Sequence, residues 1–346
     1  MKNNIWSALA AVLLAGGCAD DTYKGNFEDG NSSTLTLPVR ISVGNPFIKG
    51  GVSDISEISG KSIYVYAFRK NDKVSYKSTS EENRNECLID GSPVKEGGFP
   101  AGKAARIEAG SPYAAWSGKG VNWPAGDNHR YAYDFFAYYL GGAELKDVIR
   151  ENDCVKLKFS ITGNEDVMLS KAVPTISQLS GLNSSDKNEA IALSFSHFTA
   201  LRSISPVFTL KHQLVKLDFE ISTGQVEIEE ISVLSGKEAV LTVAHKNESE
   251  MGISFIDDVD SMSSDKALGY AMSLKPSENQ ATLLAAPSER YRVFVKVKAD
   301  GVSGTIESEI LNPAEGRHFN SGENYKVKLT AKGVSPEDLT VETILG

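Results

Sequence analysis

The chain reads as all-β, on three observations. Apolar and polar residues alternate with period two in segment after segment, clusters of Gly, Asn, Asp and Ser punctuate them, and helical periodicity is scarce. Many short strands bounded by turn signals predict β-sandwiches rather than βαβ units. In the first strand Leu35, Leu37, Val39, Ile41 and Val43 face one way, and Thr36, Pro38, Arg40 and Ser42 face the other. Pro38 lacks the amide a central strand must donate, which places this strand at a sheet edge. Further strands are expected at 62–68, 133–139, 155–161, 214–221, 226–233, 239–243, 291–297, 303–310 and 325–330. The aromatic run 133–139 alternates imperfectly, as a central strand buried on both faces does. Short helices are expected only at 142–150 and 175–182, and Gly97-Gly98 and Gly141-Gly142 read as turns. After a break at Pro336, Leu339, Val341, Thr343 and Leu345 alternate with Thr340, Glu342 and Ile344. That tail is either a strand offered to another molecule or the closing strand of its own domain.

Ahead of the strands stands a processing signal. Met1 and Lys2 supply the positive start, residues 5–14 an apolar stretch, and Ala15-Gly16-Gly17-Cys18 a small-residue cleavage site ending in cysteine. This is the bacterial lipoprotein pattern, with residues 1–17 removed and Cys18 acylated. Two or three acyl chains anchor stably, since each buried methylene adds roughly 0.8 kcal/mol. The acidic pair Asp20 and Asp21 resembles the export signal that sends lipoproteins of Bacteroidetes to the outer face of the outer membrane. Residues 18–33 form a polar linker, 34–204 a first domain and 205–346 a second, with the Ser/Asn/Asp-rich stretch 183–206 marking the boundary. No later apolar run approaches the ~20 residues of a spanning helix.

Composition excludes several functions. A formal charge of −9 without any basic block argues against nucleic acid. Beyond Cys18 only Cys87 and Cys154 remain; they either pair in an oxidising compartment or stay two buried thiols. The five histidines, at 129, 197, 212, 245 and 318, show no metal-ligand spacing, so no metal or cofactor is expected. Neither a GxSxG elbow nor a phosphate-binding loop occurs. Asp257, Asp258 and Asp260 approximate a calcium loop, but Met262 and Ser263 stand where an oxygen ligand and the turn glycine belong. Tyr113, Trp116 and Trp123 either stack on sugar rings or pack the first domain. Catalysis finds no support.

Several segments taken in order resemble the fimbrillin family of Bacteroidetes, the type V pilins and their relatives. These are Trp123-Pro124 with 133–139, Asp166-Val167-Met168-Leu169, the stretch 208–219 around Lys211-His212, Leu283-Leu284-Ala285-Ala286-Pro287, 291–297, and 319–325 with Gly322. Leu140 and Ser170 depart from the family pattern. The resemblance implies two transthyretin-like β-sandwich domains in tandem, an outer-membrane surface lipoprotein, and assembly with other pilus subunits by donor-strand exchange. It implies cleavage after an arginine in or near the first strand, for which Arg40 is the candidate, and a groove refilled by a strand from another subunit. The alternative is a stand-alone monomeric adhesin binding glycan or host protein. His212 is expected at the edge of the core between the domains, its ring bonding backbone.

Overall fold

The computed structural model describes residues 35–44, 47–48, 51–52, 58–224 and 226–346; the signal, Cys18 and the acidic linker lie outside them. The first half carries β1 (Ile41–Val43), β2 (Phe47–Ile48), β3 (Gly51–Val52), β4 (Ser62–Arg69), β5 (Cys87–Ile89), β6 (Lys103–Ile107) and β7 (Tyr113–Trp116). It continues with β8 (Tyr133–Tyr139), β9 (Leu145–Arg150), β10 (Cys154–Ser160) and β11 (Met168–Lys171). Helices α1 (Ile176–Ser180), α2 (Ser184–Leu193) and α3 (His197–Ala200) lead to β12 (Val207–Phe208) and β13 (Lys211–His212). One sheet runs β12-β1-β7-β6-β4-β8-β11-β13-β2-β3, with β5 added on β4.

Strands β4 and β8 are central and buried on both faces, as their aromatic content predicts. Tyr66, Phe68, Phe136 and Tyr138 pack into one core, while Ile63, Val65, Ala67, Phe135 and Ala137 pack into a second with Val39, Ile41, Val43 and Trp123. Only period-two alternation can divide neighbouring residues of one strand between two cores. Against the first of these cores, Arg150 meets Asp90 at 3.4 Å, fully buried, with its guanidinium over the rings of Tyr66, Phe68 and Phe99. Removing either charge would leave the other uncompensated in the interior.

The second half adds β14 (Val215–Thr223), β15 (Glu227–Leu234), β16 (Glu238–His245), β17 (Gly252–Phe255), α4 (Ser264–Tyr270), β18 (Met272–Leu274) and β19 (Gln280–Ala285). It closes with β20 (Arg290–Ala299), β21 (Val302–Leu311), β22 (Asn324–Ala331) and β23 (Leu339–Leu345). Sheets β19-β14-β22-β23 and β18-β15-β20-β21 form a four-on-four sandwich. Val215, Leu217, Phe219, Val327 and Leu329 of one face Ile231, Val233, Val293, Val295 and Ile306 of the other in one core. Gly322 turns the chain into β22 at φ +75°.

The fourth sheet, β17-β16-β10-β9, takes one hairpin from each half. The expected division at 204/205 is thus crossed by a seven-residue antiparallel register, from Cys154↔His245 to Ser160↔Glu238. The strands at 62–68, 133–139 and 155–161, and those of the second half, lie within about two residues of where alternation places them.

One local expectation is corrected. Residues 142–150 contain no helix but β9, whose Val148 and Arg150 point inward against β10. Nine residues are too few for an isolated helix, and β-branched Val148 and Ile149 favour the strand once a partner edge is present. The stretch 183–206, expected to mark the domain boundary, is structured: Asn183 caps α2, Ser196 caps α3, and Ala190, Phe195, Phe198 and Ile204 are buried. Its polar residues mark helix starts rather than solvent exposure. At 175–182 the expected short helix appears as α1, closed by a Thr175–Gln178 capping box. Gly141 makes its turn at φ +64°, where a Cβ would stand 2.1 Å from the Asp166 nitrogen. No helix among the described residues is long and apolar enough to cross a membrane.

Candidate functional site

The first strand divides at Arg40 into two parts held in different ways. Upstream, Val39 N–H donates to Val121 O at 2.7 Å, Trp123 N–H donates to Leu37 O at 2.9 Å, and Pro38 forms an isolated bridge with Asn122. Side chains complete the hold: Trp116 Nε1–H donates to Val39 O at 2.8 Å, and His197 Nε2 bonds Leu35 O at 2.7 Å. Downstream, β1 lies between β7, antiparallel, and β12, parallel. The edge position argued from Pro38 therefore does not extend to residues 41–43. Two-residue β12 covers them, because the chain returns there only after β11 and the helices.

Val39, Ile41 and Val43 are at most 1% exposed, whereas Leu37 is half-buried and Leu35 exposed. The expected five-residue apolar face is thus an inward one over its last three members. Arg40 is exposed between the two parts. Trp123, 4% exposed, packs on Phe135 at 5.5 Å, and Trp116 is half-buried; of the three aromatics considered for sugar stacking only Tyr113 is open to solvent. His197 is fully buried, its Nδ1 has no partner, and the His129 ring stands perpendicular to it at 6.5 Å. Burial, more than His129, holds its pKa below the ordinary value, while the Leu35 carbonyl opposes that shift.

At the other end of the chain β23 pairs with β22 over seven residues, from Tyr325↔Leu345 to Ala331↔Leu339. It closes its own sandwich at a sheet edge. Leu339, Val341 and Thr343 are half-buried toward the core, and Leu345 is 60% exposed. Alternation is legible here, but the side chains fill little of the interior.

The remaining expected sites sort simply. Cys87 and Cys154 are both buried and both free, so the pairing alternative is corrected: one sits in β5, the other at the start of β10. Burial pushes the Cys87 thiol well above its ordinary range. The Cys154 thiol donates to Glu151 Oε2 at 3.2 Å, and burial, then that carboxylate, push it up to about 11. His212 Nδ1 meets the Asp166 carboxylate at 2.7 Å. Asp257 accepts from the amides of Lys237 and Glu238 at 2.7 and 2.6 Å, so that carboxylate of the calcium-like stretch pins a strand start.

Sequence reading missed one constellation. Asp153, Cys154 and His245 bring ligand atoms within 4.8 Å of one another. No spacing rule could find it, because 90 residues separate Cys154 from His245 and only the β10/β16 register joins them. It is not a nucleophile–base pair, since a buried thiol bonded to a carboxylate stays protonated at neutral pH. Sequence reading also missed a cleft of about 510 Å³ in the second half, lined among others by Phe255, Asp257, Asp260, Arg290, Arg292 and Asn320.

No protein-family profile matches the chain, and no curated protein matches it in sequence. Among solved structures it is similar to a protein of Bacteroides uniformis assigned to cell adhesion, at 12% identity and a TM-score of 0.51, over 90% of this chain and 97% of that one. A Bacteroides ovatus protein of the same assignment follows at 13% identity and 0.42, over 90% and 96%. The tip fimbrial protein Mfa3 of Porphyromonas gingivalis, truncated at its C-terminus, aligns at 10% identity and 0.39, over 89% and 99%. The first shows a shared fold.

Proposed function

We propose that this chain is a fimbrillin-like surface lipoprotein, a structural or adhesive pilus subunit or tip component without enzymatic activity. In this reading Cys18 carries the lipid, residues 18–33 tether the folded body to the outer membrane, and 34–204 and 205–346 are its two domains. The observation that carries it is the attachment of residues 35–39: a short length on one flank, ending at an exposed arginine and covering buried apolar surface. Support comes from the fold shared with a protein assigned to cell adhesion.

The mechanism follows from the bonds. Cleavage after Arg40 frees the upstream segment, and its departure leaves Val121 O, Trp123 N–H and Trp116 Nε1–H without partners. The Val39 pocket opens at the same time. A strand from another subunit restores the backbone bonds generically, and its alternate side chains set the register. Refilling the Val39 pocket is worth about 1.5–3 kcal/mol before ordering costs. Strand β23, already an edge, is the donor within this chain that fits by alternation.

Digestion of the folded chain from residue 19 with an arginine-specific protease tests this, with intact mass and gel filtration on the same sample. A single cut after Arg40 followed by higher oligomers, both absent in Arg40→Ala, is the expected result. A chain cut there that stays monomeric would instead be a stand-alone adhesin. The polar cleft beside Phe255 favours that second reading, because carboxylates, an amide and an aromatic face suit a glycan.

A further inference from the structure

We propose that Cys154, His245, Asp153 and Glu151 form a binding site for a divalent transition metal of the zinc class, clamping the two halves of the chain together. Cys154 and His245 are direct cross-strand partners at the last register position of the β10/β16 pair. Asp153 supplies a carboxylate within 4.8 Å of both ligand atoms, and the Glu151 carboxylate already stands 3.2 Å from Cys154 Sγ. A tetrahedral ion with bonds of about 2.0–2.3 Å needs its ligand atoms roughly 3.3–3.8 Å apart. Rotation of the exposed Asp153 and the half-buried His245 closes that gap without moving a strand.

The donor set decides the class of ion. One thiolate, one imidazole and one or two carboxylates match zinc and cobalt, whereas calcium and magnesium take oxygen alone. On capture the Cys154 Sγ–H bond breaks, its proton leaves to solvent, and the sulfur pair binds the ion. Glu151 loses its hydrogen bond from sulfur and keeps Lys156 Nζ, at 2.9 and 3.1 Å, as the nearby positive charge. His245 Nδ1 accepts Asn247 N–H at 2.9 Å in the metal-free form. Ligation through either ring nitrogen removes that bond, because a neutral imidazole has one lone pair to offer.

A local irregularity supports a built site. The register shifts between Val155 and Lys156, where Val243 of β16 has no partner. Such bulges re-aim side chains, and this one lies next to Cys154. The clamp spans the joint between the halves: β10 belongs to the first, β16 to the second, and Lys246 N–H donates to Asp153 O at 3.0 Å in the same corner.

The test is titration of the reduced, chelator-treated full chain with Co²⁺, followed by Zn²⁺. Expected are one Co²⁺ per chain, a thiolate-to-cobalt charge-transfer band in the near ultraviolet, displacement by Zn²⁺, and a shift of the Asn247 amide resonance on binding. Cys154→Ser removes the band, and His245→Gln weakens binding more than about tenfold, the least that loss of even an outer partner costs. Cys87→Ser changes neither. Should Cys154→Ser fail to fold, Asp153→Asn and His245→Gln, at exposed and half-buried positions, decide instead. Absence of the band in the unsubstituted chain, or affinity unchanged in both of those variants, overturns the site.

Discussion

The first and last strands look alike in sequence, each a short alternating run, and the structure holds them by different means. Residues 35–43 bury three side chains almost completely while β1 itself is only three residues long. Strand β23 has a seven-residue ladder but half-exposed side chains. Buried side chains add to the backbone bonds of the first; the last relies on a long ladder with little buried beneath it. Pocket filling sets register, because a one-residue slip would turn every side chain outward, whereas a backbone ladder accepts any strand. The contrast matches the roles that the proposed strand exchange assigns to the two ends.

The contrast has measurable consequences. Ile41→Ala, which empties a closed pocket beside β7 and β12, is expected to cost about 2–5 kcal/mol in urea unfolding. A loss below 1 kcal/mol would break the comparison. Deleting residues 339–346 should cost only about 1–3 kcal/mol and leave a folded chain by circular dichroism. Its ladder bonds are largely offset by the entropy of ordering the strand, so Leu339 and Val341 carry the net effect. Val341→Ala, at a half-buried position, should cost about 1 kcal/mol or less in the same assay.

The smallest effect concerns acid. His197 bonds Leu35 O from a buried site that disfavours its charged form, so its folded pKa lies below the unfolded one. His197 in the unfolded chain then binds the proton first. The histidine's contribution is complete above about 6.5, the unfolded value, and is lost as pH falls from there through the folded pKa. Cutting after Arg40 should therefore quicken below that pH, and His197→Gln should flatten the dependence. A rate that rises equally in His197→Gln would sink the idea.

Legibility followed the range of the interaction. Alternation located the long strands of the second half and the two-faced character of 133–139, because burial on both faces leaves its mark within seven consecutive residues. It failed at 142–150, where pairing with β10 overrode a weak helical pattern, and it did not show that the polar residues of 183–206 cap helices. The Pro38 argument held for the flank where that residue lies and failed three residues later, since nothing local announces that β12 will return to cover β1. His212 was placed at the core, but its Asp166 partner lies 46 residues upstream and only the β11/β13 pairing joins them.

From the sequence alone came the all-β class, most of the long strands, an exposed arginine on the outward face of an alternating first strand, and the closing strand as one of two alternatives. Each depends on a period of two or on the chemistry of a single residue. Tertiary structure alone decided that β9–β10 and β16–β17 form one sheet across the two halves, that Cys87 and Cys154 stay apart, and that Cys154 meets His245. Those outcomes depend on which strand edges find each other. Backbone hydrogen bonding is the same for every sequence, so the choice of partner is made by how the cores pack.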